Sequence, residues 1–294
     1  LQTYRRRNVA AVNNVDFLAV VGVHLQDSSD SFLAPFRRIV DVTAAFQRAA
    51  VDAEERQLTD KRISHNLECQ RRKRFFMLAT RFPNVKLHSP SPVFARTFTV
   101  GDALEGLPPV EPNSWREGTE YLPTGGEFAA VMRDNAFWRR GTGAVESITY
   151  HMPMKHRSAT LERFALLRQG ESLKDLFSRF EGKEREALQT RRVLPKKMFI
   201  KRNYRLPTGE PSPTVTSHCL DEFVHPTENR ALTVRECARL QSFPDSYDFC
   251  GGPYIVPHIN RDVQDKYEQI GDAVPPLLAF AWGNTIAELI EKAK

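Results

Sequence analysis

Gln70, Arg72 and Arg74 are spaced two residues apart at the entrance to an apolar run, in the stretch "QRRKRFFMLAT" (70–80). In an extended strand the side chains alternate, so these three share one face and Arg71 and Lys73 take the other. One amide and two guanidiniums on a single face suit a planar ligand rich in carbonyl or phosphate oxygens, because guanidinium presents its donors as fixed forks. The opposite face is expected to be solvated or to touch a nucleic-acid backbone. A core strand would drop the charges and an exposed one would drop Phe-Phe-Met-Leu, so the junction points to a strand whose end faces something anionic.

Such a strand needs a sheet to hold it. "VDFLAVVGVHL" (15–25) reads as a buried strand, continuous and β-branched, and "DSSDS" (27–31) as a loop. Residues 36–58 are expected to be helical, with Ile39, Val42, Phe46, Ala49 and Ala53 on one stripe and Glu54, Glu55 and Arg56 closing it. The order strand–loop–helix–strand up to Phe76 predicts α/β architecture. Residues 1–13, basic and Asn-rich, read as a loose arm.

From 82 to 229 the character changes. Proline and glycine punctuate the chain ("GLPPVEPNS", "LPTGG", "LPTGEPSP"), which predicts a loop-rich second lobe with one helix, Ser158 to Gln169, capped by Ser158 and stopped by Gly170. Within it "FWRRGTG" (137–143) sets Arg139 and Arg140 between aromatics and flexible glycines, a mix that suits phosphate and base contacts. A solvated turn with Trp138 packed beneath it reads equally well. Residues 230–294 are regular again. Thr233 and Glu236 have capping-box spacing, Pro244 is expected to end that helix, and a last helix is expected from Pro275-Pro276 with Leu277, Leu278, Ala281, Ile286, Leu289 and Ile290 on its apolar face.

The 294 residues carry 42 Lys and Arg against 36 Asp and Glu, a net charge of +6. A basic balance favours acidic partners, nucleic acid first, and a merely basic protein reads equally well. Cys69, Cys219, Cys237 and Cys250 form no C-x-x-C pair and no zinc spacing, which predicts thiols in a reducing compartment and no structural metal. The histidines form no i, i+4 ligand pair. No apolar run approaches the ~18–20 residues of a membrane span, so no membrane partner is expected. The chain opens on Leu1 rather than Met, which reads as a truncated or processed sequence or as an unusual start.

Gln-x-Arg-x-Arg entering a strand resembles motif VIII of the DNA (cytosine-5) methyltransferases. "RALTVRECARLQSFPDSYDF" (230–249) resembles that family's motif IX, and "QIGDAVPPLLA" (269–279) its motif X, in the family's order. The resemblance covers roughly residues 67–294. It implies a partial Rossmann-like methyltransferase sheet in residues 1–81, a target-recognition region in 82–229, and in 230–294 the motif IX helix and a C-terminal helix returning to the catalytic domain. By the same resemblance Arg74, with Arg72, would bond O2 of a flipped cytosine, and Gln70 would orient this site. Thr233, Arg235, Glu236 and Arg239 would be scaffold first and DNA contacts second. Asp272, Ala273 and Val274 would line the methionine end of S-adenosylmethionine. The family has Asn where this chain has Asp272, which keeps an acceptor but loses two donors and adds a charge.

The family's chemistry also needs a thiolate in a Pro-Cys-Gln loop, a Glu-Asn-Val and a glycine-rich cofactor loop, and these 294 residues contain no Pro-Cys, no Glu-Asn-Val and no F-x-G-x-G. Cys69-Gln70 imitates the nucleophile loop, but Glu68 stands where proline belongs, and an inert thiol at a strand start is the favoured reading. Three expectations follow. The chain could be the DNA-reading part of a cytosine-5 methyltransferase whose catalytic half comes from a second chain, it could be a non-catalytic remnant that still binds double-stranded DNA, or it could be a fragment that folds poorly because strand 74–80 has an unpaired edge. The expected location is cytoplasmic, at the nucleoid in a prokaryote, and the expected role restriction–modification or regulation.

Overall fold

The computed structural model describes residues 17–22, 57–64, 69–71, 73–80, 85–114, 116–197, 199, 202–255 and 263–293. The chain divides into two compact units. One comprises Leu1–Ser64, Lys73–Ser91 and Ala281–Lys294, the other His65–Arg72 and Pro92–Phe280.

The first unit contains a sheet of β1 (Phe17–Gly22), β2 (Gln57–Ser64) and β3 (Lys73–Thr80), in the order β1-β3-β2. Both pairings are antiparallel, with Phe17 opposite Thr80, Gly22 opposite Phe75, Gln57 opposite Thr80 and Ser64 opposite Lys73. β3 is therefore paired along both edges, which corrects the expectation of an open edge. Residues 65–72 are too few to cross over between parallel neighbours, which takes about a dozen or more, so β2 and β3 pair antiparallel. The expected arm (1–13) and residues 36–56 of the expected helix lie outside the described residues. The last two positions of that helix, Gln57 and Leu58, belong to β2. The sequence of β2, "QLTDKRIS", is mostly polar and carries no period-2 signal.

The region 82–229, which lies in the second unit from Pro92 onward, holds six helices among the described residues where one was expected: α1 (Val100–Leu104), α2 (Glu127–Arg133), α3 (Ser158–Leu166), α4 (Leu173–Arg179), α5 (Gly182–Thr190) and α6 (Cys219–Glu222). Most are too short for a 3.6-residue period to register. Two carry a local signal, the capping boxes Thr99/Asp102 of α1 and Ser172/Asp175 of α4. The N-cap of α3 is Arg157 rather than Ser158, and the helix stops at Leu166, because Leu167 turns extended while its N–H still bonds the carbonyl of Phe164. A small parallel pair, β4 (Tyr204–Arg205) with β5 (Phe223–Val224), completes the α/β mixture.

α7 (Val234–Leu240) is the centre of the core, with all seven residues buried. Phe98, Phe128, Met132, Leu206, Val215, Tyr267 and Leu277 pack in the same cluster. The helix ends before Pro244 is reached, because Ser242 takes φ +63°, in the left-handed region. α8 (Lys266–Asp272) and α9 (Pro276–Ala293) follow. Of the expected α9 stripe, Leu277, Leu278, Ala281 and Leu289 are buried, with Trp282 and Thr285 beside them, and Ile290 is exposed. Against expectation, Lys266–Ala293 does reach the length and, at a mean hydropathy of 1.2, the composition of a membrane span. The extended backbone of Ala273 breaks it into two helices, and Leu277 and Leu278 are buried in the protein.

Candidate functional site

Gln70 is 2% exposed and lies in a short ladder with residues 212–215. Ser212 N–H donates to the Cys69 carbonyl (2.7 Å), Arg71 N–H to the Ser212 carbonyl (2.8 Å) and Thr214 Oγ1 to the Arg71 carbonyl (2.9 Å). Both ends of the Gln70 amide are used. Its Oε1 accepts from Val215 N–H (2.8 Å) and its Nε2 donates to Oε1 of Gln241. Gln241 Nε2 donates in turn to the carbonyls of Ile270 and Ala273, each at 3.0 Å. Two buried amides thus connect the strand-entry glutamine, the C-cap of α7 and the turn after α8. A misoriented amide would leave a donor facing a donor, so the network fixes both rotamers. Sequence reasoning missed Gln241. Its signal was an amide beside Leu240 and Phe243 in "RLQSFP" (239–244).

Arg71 is exposed, 3.4 Å from Glu210. Arg74 is in β3 opposite Ile63, in the first compact unit, and Arg72 lies outside the described residues. Cys69 is fully buried in the hydrophobic core.

The motif IX side chains turn inward. Thr233 caps α7, accepting from Glu236 N–H (3.2 Å), while Glu236 Oε2 accepts from Thr233 N–H (2.7 Å). Glu236 also takes both arms of Arg230 (2.7 and 2.8 Å), and Arg230 donates further to Glu228 and to the Val110 carbonyl. Burial alone would raise the Glu236 pKa, but the Arg230 guanidinium holds it well below the usual carboxylate range. Arg235 donates to the Thr149 carbonyl (3.0 Å), Thr149 Oγ1 (2.9 Å) and the carbonyls of Pro244 and Tyr247. Arg239 forks onto Asp245 (2.9 and 2.6 Å) and donates to the carbonyls of Ala103 and Glu105. Thr233, Arg235 and Arg239 are each 0% exposed. Their hydrogen bonds go to residues 103–105, 149–151 and 244–247, so in this structure they brace α7 against segments on both sides of it in the chain.

Three histidines complete this buried polar layer as neutral acceptors. His151 Nδ1 meets the Thr233 hydroxyl (2.9 Å) while Nε2 meets the Pro108 carbonyl (2.8 Å), which requires the proton on Nε2. His225 Nδ1 accepts from Glu228 N–H (3.0 Å), and His156 Nε2 from Ala231 N–H (3.1 Å). Burial lowers all three pKa values, that of His156 to about 4 with help from Arg230. A depressed pKa means that stability is complete above the unfolded value near 6.5 and is lost as pH falls toward the folded one. Denaturant stability is therefore expected to fall between pH 6.5 and about 4, with His156 contributing up to ~3 kcal/mol. A flat stability profile from pH 7 to 5 would refute this.

Ala273 and Val274 line a cavity of about 510 Å³ whose other walls include Trp138, Phe243, Tyr247 and Phe249. Asp272 is exposed and outside that lining, and its Oδ2 accepts from Gln264 Nε2 (2.7 Å). Nearby in sequence, residues 134–145 form a tight finger. Asp134 Oδ1 accepts from Ala136 and Phe137 N–H, Asn135 N–H donates to the Gly143 carbonyl (3.0 Å) and Arg140 N–H to the Asn135 carbonyl (2.8 Å). Trp138 packs beneath, its Nε1–H on the Val131 carbonyl (2.8 Å). Arg139, at φ 55°, and Arg140 are exposed.

A profile of the family described as C-5 cytosine-specific DNA methylase matches residues 68–288, and the chain belongs to that family. It is 32% identical over 209 residues to the type II methyltransferase M.DdeI of Desulfomicrobium norvegicum, a match covering 70% of this chain and 46% of that protein. It is 34% identical over 142 residues to the type II methyltransferase M.AquIB of a Picosynechococcus strain, covering 48% of this chain and 88% of that one. The chain thus spans under half the length of the first relative and most of the second. Among solved structures, a candidate DNA modification methyltransferase encoded within an E. coli prophage superposes with a TM-score of 0.60 at 19% identity, over 94% of this chain and 70% of that one, a likeness of fold. The family uses S-adenosylmethionine and acts on DNA. The residues present fit one side of that cofactor. The aromatic faces of the cavity suit a sulfonium and an adenine.

Proposed function

We propose that this chain is the DNA-reading and site-closing part of a cytosine-5 DNA methyltransferase, acting on double-stranded DNA with a nucleophile-bearing half that lies outside these 294 residues. The observation that carries the reading is the Gln70–Gln241–Ala273 relay. It ties Gln70 to the C-cap of α7 and to the turn that lines the cavity, so one buried network sets the residue ahead of the arginine run and the wall offered to a cofactor. S-adenosylmethionine supplies an electrophilic methyl group when bound. In this reading Ala273 and Val274 form one wall for it and Asp272 accepts from its ammonium. Arg74, with Arg72, donates to O2 of a cytosine turned out of the duplex, which withdraws electrons from the ring and prepares C6 for a thiolate. Gln70 positions the strand entry. Residues 82–229 form the target-recognition region, where Arg139 and Arg140 reach DNA.

The test is transfer of labelled methyl to duplex DNA, by this chain alone and with a polypeptide that carries a Pro-Cys-Gln loop. Activity only in the mixture supports the reading. Salt-sensitive DNA binding without transfer in either case would support the non-catalytic remnant instead, a reading favoured by the absence of Pro-Cys. Transfer by the chain alone that survives Cys69→Ser would overturn the need for an outside nucleophile and leave the chemistry to be sought elsewhere in the chain.

A further inference from the structure

The basic excess of this protein is confined to one segment. Residues 155–202 hold 14 Lys and Arg against 6 Asp and Glu, a net of +8, while the remaining residues hold 28 against 30. That segment contains α3, α4 and α5, which share an apolar cluster of their own formed by Phe164, Leu167, Leu173, Leu176 and Leu194 with Val224.

The charge is densest in the turn after α5, "RRVLPKK" (191–197). Val193 and Leu194 anchor it, at 0% and 1% exposure, while Arg191, Arg192, Lys196 and Lys197 are exposed. Arg191 pairs with Glu162. Arg192, Lys196 and Lys197 have no carboxylate partner among the described residues. The turn is held from beneath by side chains of two helices. Arg163 of α3 donates to the carbonyls of Val193 (2.5 Å) and Arg192 (3.3 Å), and Gln189 of α5 donates to the Pro195 carbonyl (3.1 Å). Arg192 itself is in the left-handed region at φ 63°. Beside the turn Phe199 is 47% exposed, with the Arg202 guanidinium 5.1 Å from its ring centre. A fold that spends a fifth cation, Arg163, on fixing a turn already carrying four concentrates positive potential at one rigid place, at the expense of self-repulsion. A solvated face would need no such bracing.

We propose that this turn is a phosphate-backbone clamp for duplex DNA. Arg192, Lys196 and Lys197 would neutralise successive phosphates without reading bases, separately from the arginine-tipped finger. The proposal rests on the DNA-methyltransferase reading given above.

The test measures binding of a random-sequence DNA duplex to the full chain by fluorescence anisotropy, from about 50 to 200 mM salt. With each phosphate contact contributing about 0.9 to the slope of log affinity against log salt, Arg192→Gln/Lys196→Gln/Lys197→Gln is expected to lower that slope by roughly 2 to 3 and to weaken binding at least about tenfold. A control, Lys174→Gln/Lys183→Gln, removes exposed charge from α4 and α5 and is expected to leave the slope nearly unchanged. Equal loss in both variants per charge removed would overturn the clamp in favour of diffuse attraction, and an unchanged slope in the triple variant would overturn it outright. So would unaltered DNA affinity accompanied by lost binding to an RNA duplex. If the unaltered chain binds no duplex DNA at any salt, the clamp is overturned, while methyl transfer in the mixture with the nucleophile-bearing polypeptide still decides the methyltransferase reading. The substituted side chains are exposed, and an unchanged thermal melt of each variant certifies the comparison.

Discussion

Gly271→Ala is expected to destabilise the protein by about 3 kcal/mol or more and to lower its melting temperature by roughly 10 °C. Gly271 is buried near the end of α8. A Cβ there would lie 2.2 Å from Ser217 N, 2.2 Å from the Thr216 carbonyl carbon and 2.4 Å from its oxygen. All three are backbone atoms, so no side chain can swing aside, and α8 must move off the 216–217 segment. The sign makes this test sharp, because alanine in place of glycine within a helix ordinarily stabilises by up to about 1 kcal/mol. Gly283→Ala in α9 supplies the contrast. Nothing lies within 4 Å of a Cβ at Gly283, and its melting temperature is expected to stay or rise. The Gly271 substitution also pulls the Ile270 and Ala273 carbonyls from Gln241, so it is expected to disturb the cavity wall as well as the fold. Equal melting temperatures for the two variants would refute the close approach.

Arg239→Met is expected to cost about 3–5 kcal/mol in denaturant unfolding. The guanidinium and the Asp245 carboxylate are both fully buried. Burial opposes the carboxylate's charge, but Arg239 outweighs it and keeps the Asp245 pKa below the usual range. Without Arg239, Asp245 keeps only the Tyr121 hydroxyl (2.7 Å) and Arg235 at 3.9 Å, and the carbonyls of Ala103 and Glu105 lose a donor. Removing the stranded charge should recover much of the loss, so Arg239→Met/Asp245→Asn is expected to be more stable than Arg239→Met alone. If the double variant is the weaker of the two, the penalty arises from lost packing or stranded carbonyls rather than from an uncompensated carboxylate.

Local chemistry was legible in the amino-acid order. The apolar run after Lys73 became β3, "FLAVVG" became β1, and the Thr233/Glu236 box became the cap of α7, because each depends on neighbours a few residues apart. The family resemblance over residues 67–294 was equally plain, and the family match covers residues 68–288. The short helices between residues 82 and 229 were not, since they run for only four to nine residues, too short for a periodic pattern or for helix propensity to set them apart. Nor was β2, whose polar sequence is a strand only because β3 pairs with it. The tertiary structure alone decided that Gln70 meets Gln241 across 171 residues, that Arg235 and Arg239 point inward while Arg139 and Arg140 point out, and that one rigid turn gathers unpaired cations. Residue types and local spacing determine what a side chain can do. Which side chains meet is set by chain closure and packing, and no period or motif records that.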